Sequence, residues 1–90
     1  MKILNEIYSI IEEHRGSKSS WLMAKAVLSA CTTSYDGPSL LSVSVNLDNE
    51  NQERVFKLMR IHEESDYSNA AQNEMFDKVI CLYPSLEILD

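Results

Sequence analysis

Trp21-Leu22-Met23-Ala24-Lys25-Ala26-Val27-Leu28-Ser29-Ala30-Cys31 decides how the rest of the chain must be arranged. Lys25 is its only charge, and apolar groups fall on every side of a helix wound from it. A helix without a polar face has to lie inside, with other elements packed around it. Ser17, Ser19 and Ser20 stand ahead of the run as candidate N-cap hydroxyls. The stretch is expected to form the central, most buried helix of a bundle.

On its N-terminal side, residues 3 to 14 carry Ile3, Leu4, Ile7, Tyr8, Ile10 and Ile11 at spacings of three, four and seven, with polar residues between. That spacing is one apolar stripe on a helix. Gly16 follows Arg15, suiting a C-terminal cap that needs a left-handed residue, with a cation near the negative end of the helix dipole.

On its C-terminal side, Tyr35-Asp36-Gly37-Pro38 has turn chemistry. Leu41, Val43 and Val45 then alternate with Ser42, Ser44 and Asn46, the two-residue period of a half-buried strand. A lone strand needs an edge, and its only pairing candidate is Leu86-Glu87-Ile88-Leu89 or the same segment of a second copy. Residues 39–46 therefore stay open between one short strand and an irregular or helical turn. Asp48 or Asn49 can cap a third helix running to about residue 63, with Asn49 and Gln52 at capping-box spacing. Its inner face is assigned to Val55, Phe56, Met59 and His62. Glu50 with Arg54 and Glu53 with Lys57 sit at i, i+4 in the orientation that supports helices best. After a polar connection, Ser68 can cap a fourth helix with Met75, Phe76, Val79, Ile80 and Tyr83 on one stripe and Glu74 paired to Lys78. Pro84 ends it. The fold class is all-α or mainly α, a small three- to four-helix bundle in a single domain over residues 1–90.

Fourteen acids against eight Lys and Arg give a net charge of −6. This opposes nucleic-acid phosphate and anionic membrane surfaces alike, so neither partner is expected. No apolar run spans a bilayer and no export signal is legible, which makes the cytoplasm the expected compartment. Cys31 and Cys81, each beside apolar residues, read as reduced core thiols rather than a disulfide. A chain of this length buries little more than roughly 60% of its unfolded surface, so a homodimer is a natural expectation.

No catalytic or metal-ligand motif is present. His14 and His62 lack a second ligand at helical spacing, and no Gly-x-Ser-x-Gly elbow or P-loop appears. No cofactor is implied and an enzyme is not expected. Ser17, Lys18, Ser19, Ser20 and Lys25, at the start of the second helix, are a candidate anion site, since unpaired N–H groups point outward there. Trp21 is either core or an interface anchor, and Tyr35 and Tyr67 are expected to be partly exposed. Glu63, Glu64 and Asp66, with Glu12 and Glu13, are read as acids that gather at one end of the bundle and face a basic partner.

Two elements carry a resemblance: Ser20, Ala24, Lys25, Val27 and Leu28 are similar to a Ser-x-x-x-Ala-Arg-x-Leu-Leu pattern after a glycine, and Leu47-Asp48, Val55-Phe56 and Leu58-Met59-Arg60-Ile61 are similar to a Leu-Asp pair and a later Cys-Leu-x-Val-Leu-Arg-Leu run. On these residues the chain resembles a family of short uncharacterised helical proteins, a domain of unknown function carried by bacterial genomes, plasmids, integrative elements and phages. The resemblance covers about residues 16–62. This chain has Gly16-Ser17-Lys18-Ser19-Ser20 in place of Gly-Gln-Ser, and Cys31-Thr32 in place of an aromatic-Asn pair. The resemblance implies a helical fold and a charged Arg60 paired with Asp48 or another carboxylate; it implies no activity. The function expected is a small acidic protein-interaction or inhibitory module, from a mobile element or phage, that binds a larger protein. The alternative is a small-ligand or nucleotide-binding protein using the start of the second helix.

Overall fold

The chain, in a computed structural model, is described over residues 1–84. Five helices fill it: α1 (Lys2–Glu13), α2 (Lys18–Cys31), α3 (Leu40–Asn46), α4 (Asn49–Met59) and α5 (Asn69–Leu82), with a 3-10 turn at Ile61–Glu63. Among the described residues there is no strand.

α2 is the axis around which the others pack, touching every other helix. Met23, Ala24, Val27 and Leu28 are fully enclosed, while Trp21 and Lys25 are only half-buried. Its all-round apolar surface is satisfied by α1 on one flank, α5 on another, and α3 and α4 beyond. α1 contributes Ile3, Leu4, Ile7 and Ile11, the expected stripe, and α5 contributes Met75 and Val79. Phe76, Ile80 and Tyr83 pack at the margin of the core.

Two polar clamps fix how α5 lies on α2. Near the beginning of α5, the buried Gln72 donates from Nε2 to Ala30 O at the end of α2, 3.0 Å. Just after α5, Tyr83 Oη meets Ser20 Oγ in the first turn of α2, 2.8 Å. The two helices therefore run antiparallel. Gly16 sits between α1 and α2 at φ +93°, where a side chain would be strained, and its N–H donates to the same Tyr83 hydroxyl, 2.9 Å.

The termini are capped as the sequence chemistry directs. Ser17, Ser39, Asp48 and Ser68 accept from Ser20, Ser42, Asn51 and Ala71 N–H groups respectively. Asp48, not Asn49, caps α4. Gln52 does not close a capping box but donates its amide to Leu47 O, 2.9 Å.

Two sequence expectations need correction, and one left open is decided. Of the alternatives held open for residues 39–46 the helical one forms, as Leu40–Asn46. Ser39 caps it, and Val43 and Leu47, one turn apart, turn inward together. The pairing candidate Leu86–Leu89 lies outside the described residues, and a helix satisfies its own backbone without an edge. With α3 counted, the bundle has five helices instead of three or four. The inner face of α4 is Val55 and Leu58, not Val55, Phe56 and Met59. Beyond Met59 the chain tightens into 3-10 winding, which advances by about 120° per residue rather than about 100° and brings Ile61 inward where His62 was expected. Finally, Arg54 reaches Glu6 on α1 at 2.7 Å and Asn51 at 2.7 Å, tying α4 to α1 instead of bonding Glu50.

Candidate functional site

The hydroxyls at the start of α2 are absorbed by the fold. Ser17 Oγ caps the helix, Ser19 Oγ donates to Asn46 O at 3.1 Å, and the buried Ser20 Oγ donates to Ile11 O at 2.7 Å. Lys25 Nζ lies 4.7 Å from the centroid of the Trp21 ring, a cation–π contact that holds both side chains along α2. Lys18 is exposed. An anion would find the Ser20 N–H already capped and the hydroxyls already oriented here.

The acids do not gather. Asp66 Oδ2 accepts from Lys2 N at 2.8 Å and so caps the start of α1, whereas Glu12 and Glu13 stand at its other end, about 15 Å along the axis. Glu63 grips Arg60 through two bonds, Oε2 to Nε at 2.6 Å and Oε1 to a terminal nitrogen at 3.0 Å. The hydrogen bonds and then the charge of Arg60 hold the Glu63 carboxyl below its usual range. Both groups are exposed, so the pair contributes little stability. Arg60 pairs with Glu63 and not with Asp48.

The aromatics are likewise engaged. Tyr35 meets Phe76 edge-on at 5.4 Å and is half-buried. Tyr67 stacks on His62 at 4.5 Å while its hydroxyl donates to Asn69 Oδ1 at 2.8 Å. Trp21 is half-buried against the core. Glu64 is half-buried beside this stack in sequence. Tyr67 with His62 braces the connection between α4 and α5, and Tyr35 holds the loop after α2 against α5.

The cysteines part company. Cys31 is half-buried and burial pushes its thiol from the ordinary 9.0 up to about 11; Cys81 is exposed, contrary to the core position expected of it. The thiolate is the reactive form, so at pH 8 Cys31 should carry about a hundredfold less of it than an ordinary thiol. Iodoacetamide is expected to alkylate Cys81 readily and Cys31 only slowly in the native protein. Equal rates by mass spectrometry of the peptides would contradict that.

What sequence reasoning missed is apolar. Leu40, Leu41, Val45, Phe56 and Met59 are 74%, 73%, 71%, 50% and 67% exposed. α3 packs on α2, and between these two helices and α4 lies a groove of about 400 Å³. Ala26 and Ala30 of α2 and Val43, Val55 and Leu58 line its depth, with Leu40 and Met59 exposed at its edges and Gly37 and Pro38 nearby. Gly37 permits a close approach here, because a Cβ would lie 2.8 Å from Ser29 Oγ. Titratable groups reach this lining only through His62.

Among the described residues, no three His, Cys, Asp or Glu side chains gather to hold a metal ion, and no helix is long and apolar enough to cross a membrane. The chain matches no family model, no curated protein and no solved structure. The resemblance over residues 16–62 therefore stands on the quoted residues alone.

Proposed function

We propose that the chain is a small protein-interaction module that receives an apolar anchor of a protein partner in the groove between α2, α3 and α4. The observation that carries this reading is the pair Leu40 and Met59, 74% and 67% exposed although both line an apolar cleft. Small-ligand pockets enclose roughly 70–90% of their ligand and keep such side chains covered. Exposed apolar edges instead suit the flank of a helix or extended segment whose large side chains drop between them. The net charge of −6 favours a segment with basic residues beside its anchors, since rim charges steer encounter and suppress wrong partners.

The small-ligand alternative at the start of α2 has less support, because its serines already bond within the chain. Inhibition would follow wherever the captured segment is needed for the partner's own activity.

Met59→Lys tests the proposal, because Met59 is exposed and its replacement leaves the core untouched. A partner captured by the wild-type chain should bind the variant at least tenfold more weakly, the loss of about 1.4 kcal/mol expected of one interface anchor. Amide shifts caused by that partner should fall on the second half of α2, α3 and α4. Equal binding by Met59→Lys, or shifts centred on α1 and α5, would refute the proposal.

A further inference from the structure

α4 carries a second hollow on its other flank. Glu53, Phe56, Lys57 and Arg60 fall at i, i+3, i+4 and i+7 on one face of the helix, and with Glu63 and Glu64 of the turn that follows they line a space of about 320 Å³. Around a helix advancing about 100° per residue, Phe56 lies about 60° from Met59 and Glu53 about 60° further. The exposed Met59 and Phe56 therefore form a ridge between the groove and this hollow. We infer, building on the groove as the docking site, that the partner presents an amphipathic helix that crosses this ridge, with its apolar anchors in the groove and an arginine in the hollow.

The cation follows from charges the fold leaves unused. Glu63 is occupied by its two bonds to Arg60. Among the described residues no ion pair engages Glu53, Glu64 or Lys57, so two carboxylates face one ammonium and the hollow keeps one negative charge. The half-exposed Phe56 selects arginine over lysine. A guanidinium is planar and weakly hydrated, stacks on an aromatic ring and offers its donors to carboxylates as a fork, whereas an ammonium is a compact and strongly hydrated charge. The apolar stem of arginine covers Phe56 while its head meets Glu53 and Glu64.

The helical form of the partner follows from the groove lining. Ser29 and His62 are its only polar side chains, and the described residues include no strand whose edge could pair with an extended segment. The backbone of an extended segment would find few partners on this surface, whereas a helix satisfies its own. From Met59 to Glu53 the path round α4 is about 10–12 Å, which a partner helix covers in about seven residues.

The probe is an alanine-based helical peptide of about 16 residues with two leucines four apart and one arginine seven residues beyond the second, compared with the same peptide carrying uncharged citrulline in place of arginine. Titrated into the labelled chain, the citrulline peptide should shift amides along the groove, and the arginine peptide should also shift those of residues 53–57 and 60–64 and bind about three- to tenfold more tightly. That gain should vanish in the double variant Glu53→Gln with Glu64→Gln, and shrink as salt is raised, while the citrulline peptide binds the variant as it binds wild type. Neither glutamate is buried, so the variant should keep the circular dichroism spectrum of wild type. Met59→Ala should weaken both peptides alike. Equal binding of the two peptides to wild type, or a gain that survives the double variant, would overturn the arginine site and leave the groove standing. N-acetyl-arginine methylamide binding as tightly as the arginine peptide would give the hollow to a small cation and overturn it too. If neither peptide shifts the groove amides, the groove reading and this inference fall together.

Discussion

Ser20→Ala is expected to lower the Tm by about 10–20 °C, more than twice the effect of Tyr83→Phe, although both remove a hydroxyl from one hydrogen-bonded chain. Ile11 O is among the last carbonyls of α1, which ends at Glu13, so no helical N–H serves it. Ser20 Oγ supplies the missing donor. A serine hydroxyl has one proton, and with that proton on Ile11 O the 2.8 Å contact to Tyr83 requires the tyrosine to donate. Tyr83 Oη in turn accepts from Gly16 N–H. The alanine leaves a buried carbonyl unserved and the tyrosine proton without its acceptor, about 2–4 kcal/mol together. In a chain of this size each kcal/mol moves Tm by about 4–8 °C. Phenylalanine at 83 keeps the Ser20–Ile11 bond and exposes only Gly16 N–H, which water can reach, so about 1 kcal/mol is expected. Thermal melts of both single variants and the double variant give the coupling directly. Equal losses for the two single variants would show that the proton runs the other way.

Much of this arrangement is written in spacing and much is not. The stripes of α1 and α5 and the unbroken apolar surface of α2 are repetitive signals, and each emerged as a buried face because one misplaced residue does not change a pattern of five. The face of α4 rested on fewer residues. Val55, Phe56 and Met59 form a valid helical stripe, and so do Val55, Leu58 and Ile61 once the last turn tightens; only packing against α2 selects the second. The site was illegible for the same reason. Phe56 and Met59 look like core until the phase is known, and Leu41, Val43 and Val45 look like one face of a strand until α3 winds and separates Val43 from the other two. The residues that were chosen for a site, such as Ser20 and Asp66, are polar groups the fold spends on its own caps and clamps. Their types were informative about polarity, but burial decides whether a polar group faces a ligand or another part of the chain. The charge-free stretch from residue 37 to 47 was the one signal in the sequence that pointed to the apolar surface.

Val43→Asp separates the two sides of α3 most sharply. The same alternation that carries Val45 into solvent places Val43 against α2, where it is almost fully buried. A seven-residue helix has no stability of its own, because nucleation costs more than its few hydrogen bonds return. α3 therefore exists through Val43 and Leu47. Aspartate at 43 forfeits about 1.5–3 kcal/mol of apolar burial and, if α3 stayed docked, would strand a carboxylate among Ala26, Ala30 and Leu58 with no Lys or Arg in the groove lining to meet it. The sum exceeds about 4 kcal/mol, more than docking of so short an element returns, so α3 should leave the surface. α1, α2 and α5 hold one another through Ile3, Leu4, Ile7, Ile11, Met23, Val27, Met75 and Val79 and through the Ser20 and Gln72 clamps, all of them residues outside α3. Hydrogen exchange followed by mass spectrometry is expected to show amides 43–47 exchanging at nearly the unfolded rate while α1 and α5 keep their protection. Partner capture should fail along with them, since the groove loses one wall, whereas Val45→Glu should leave both the protection of α3 and the groove intact. Retained protection at residues 43–47 in Val43→Asp would mean that α3 is held by something other than its inward face, and the division of the helix into a docking side and an outward ridge would fall with it.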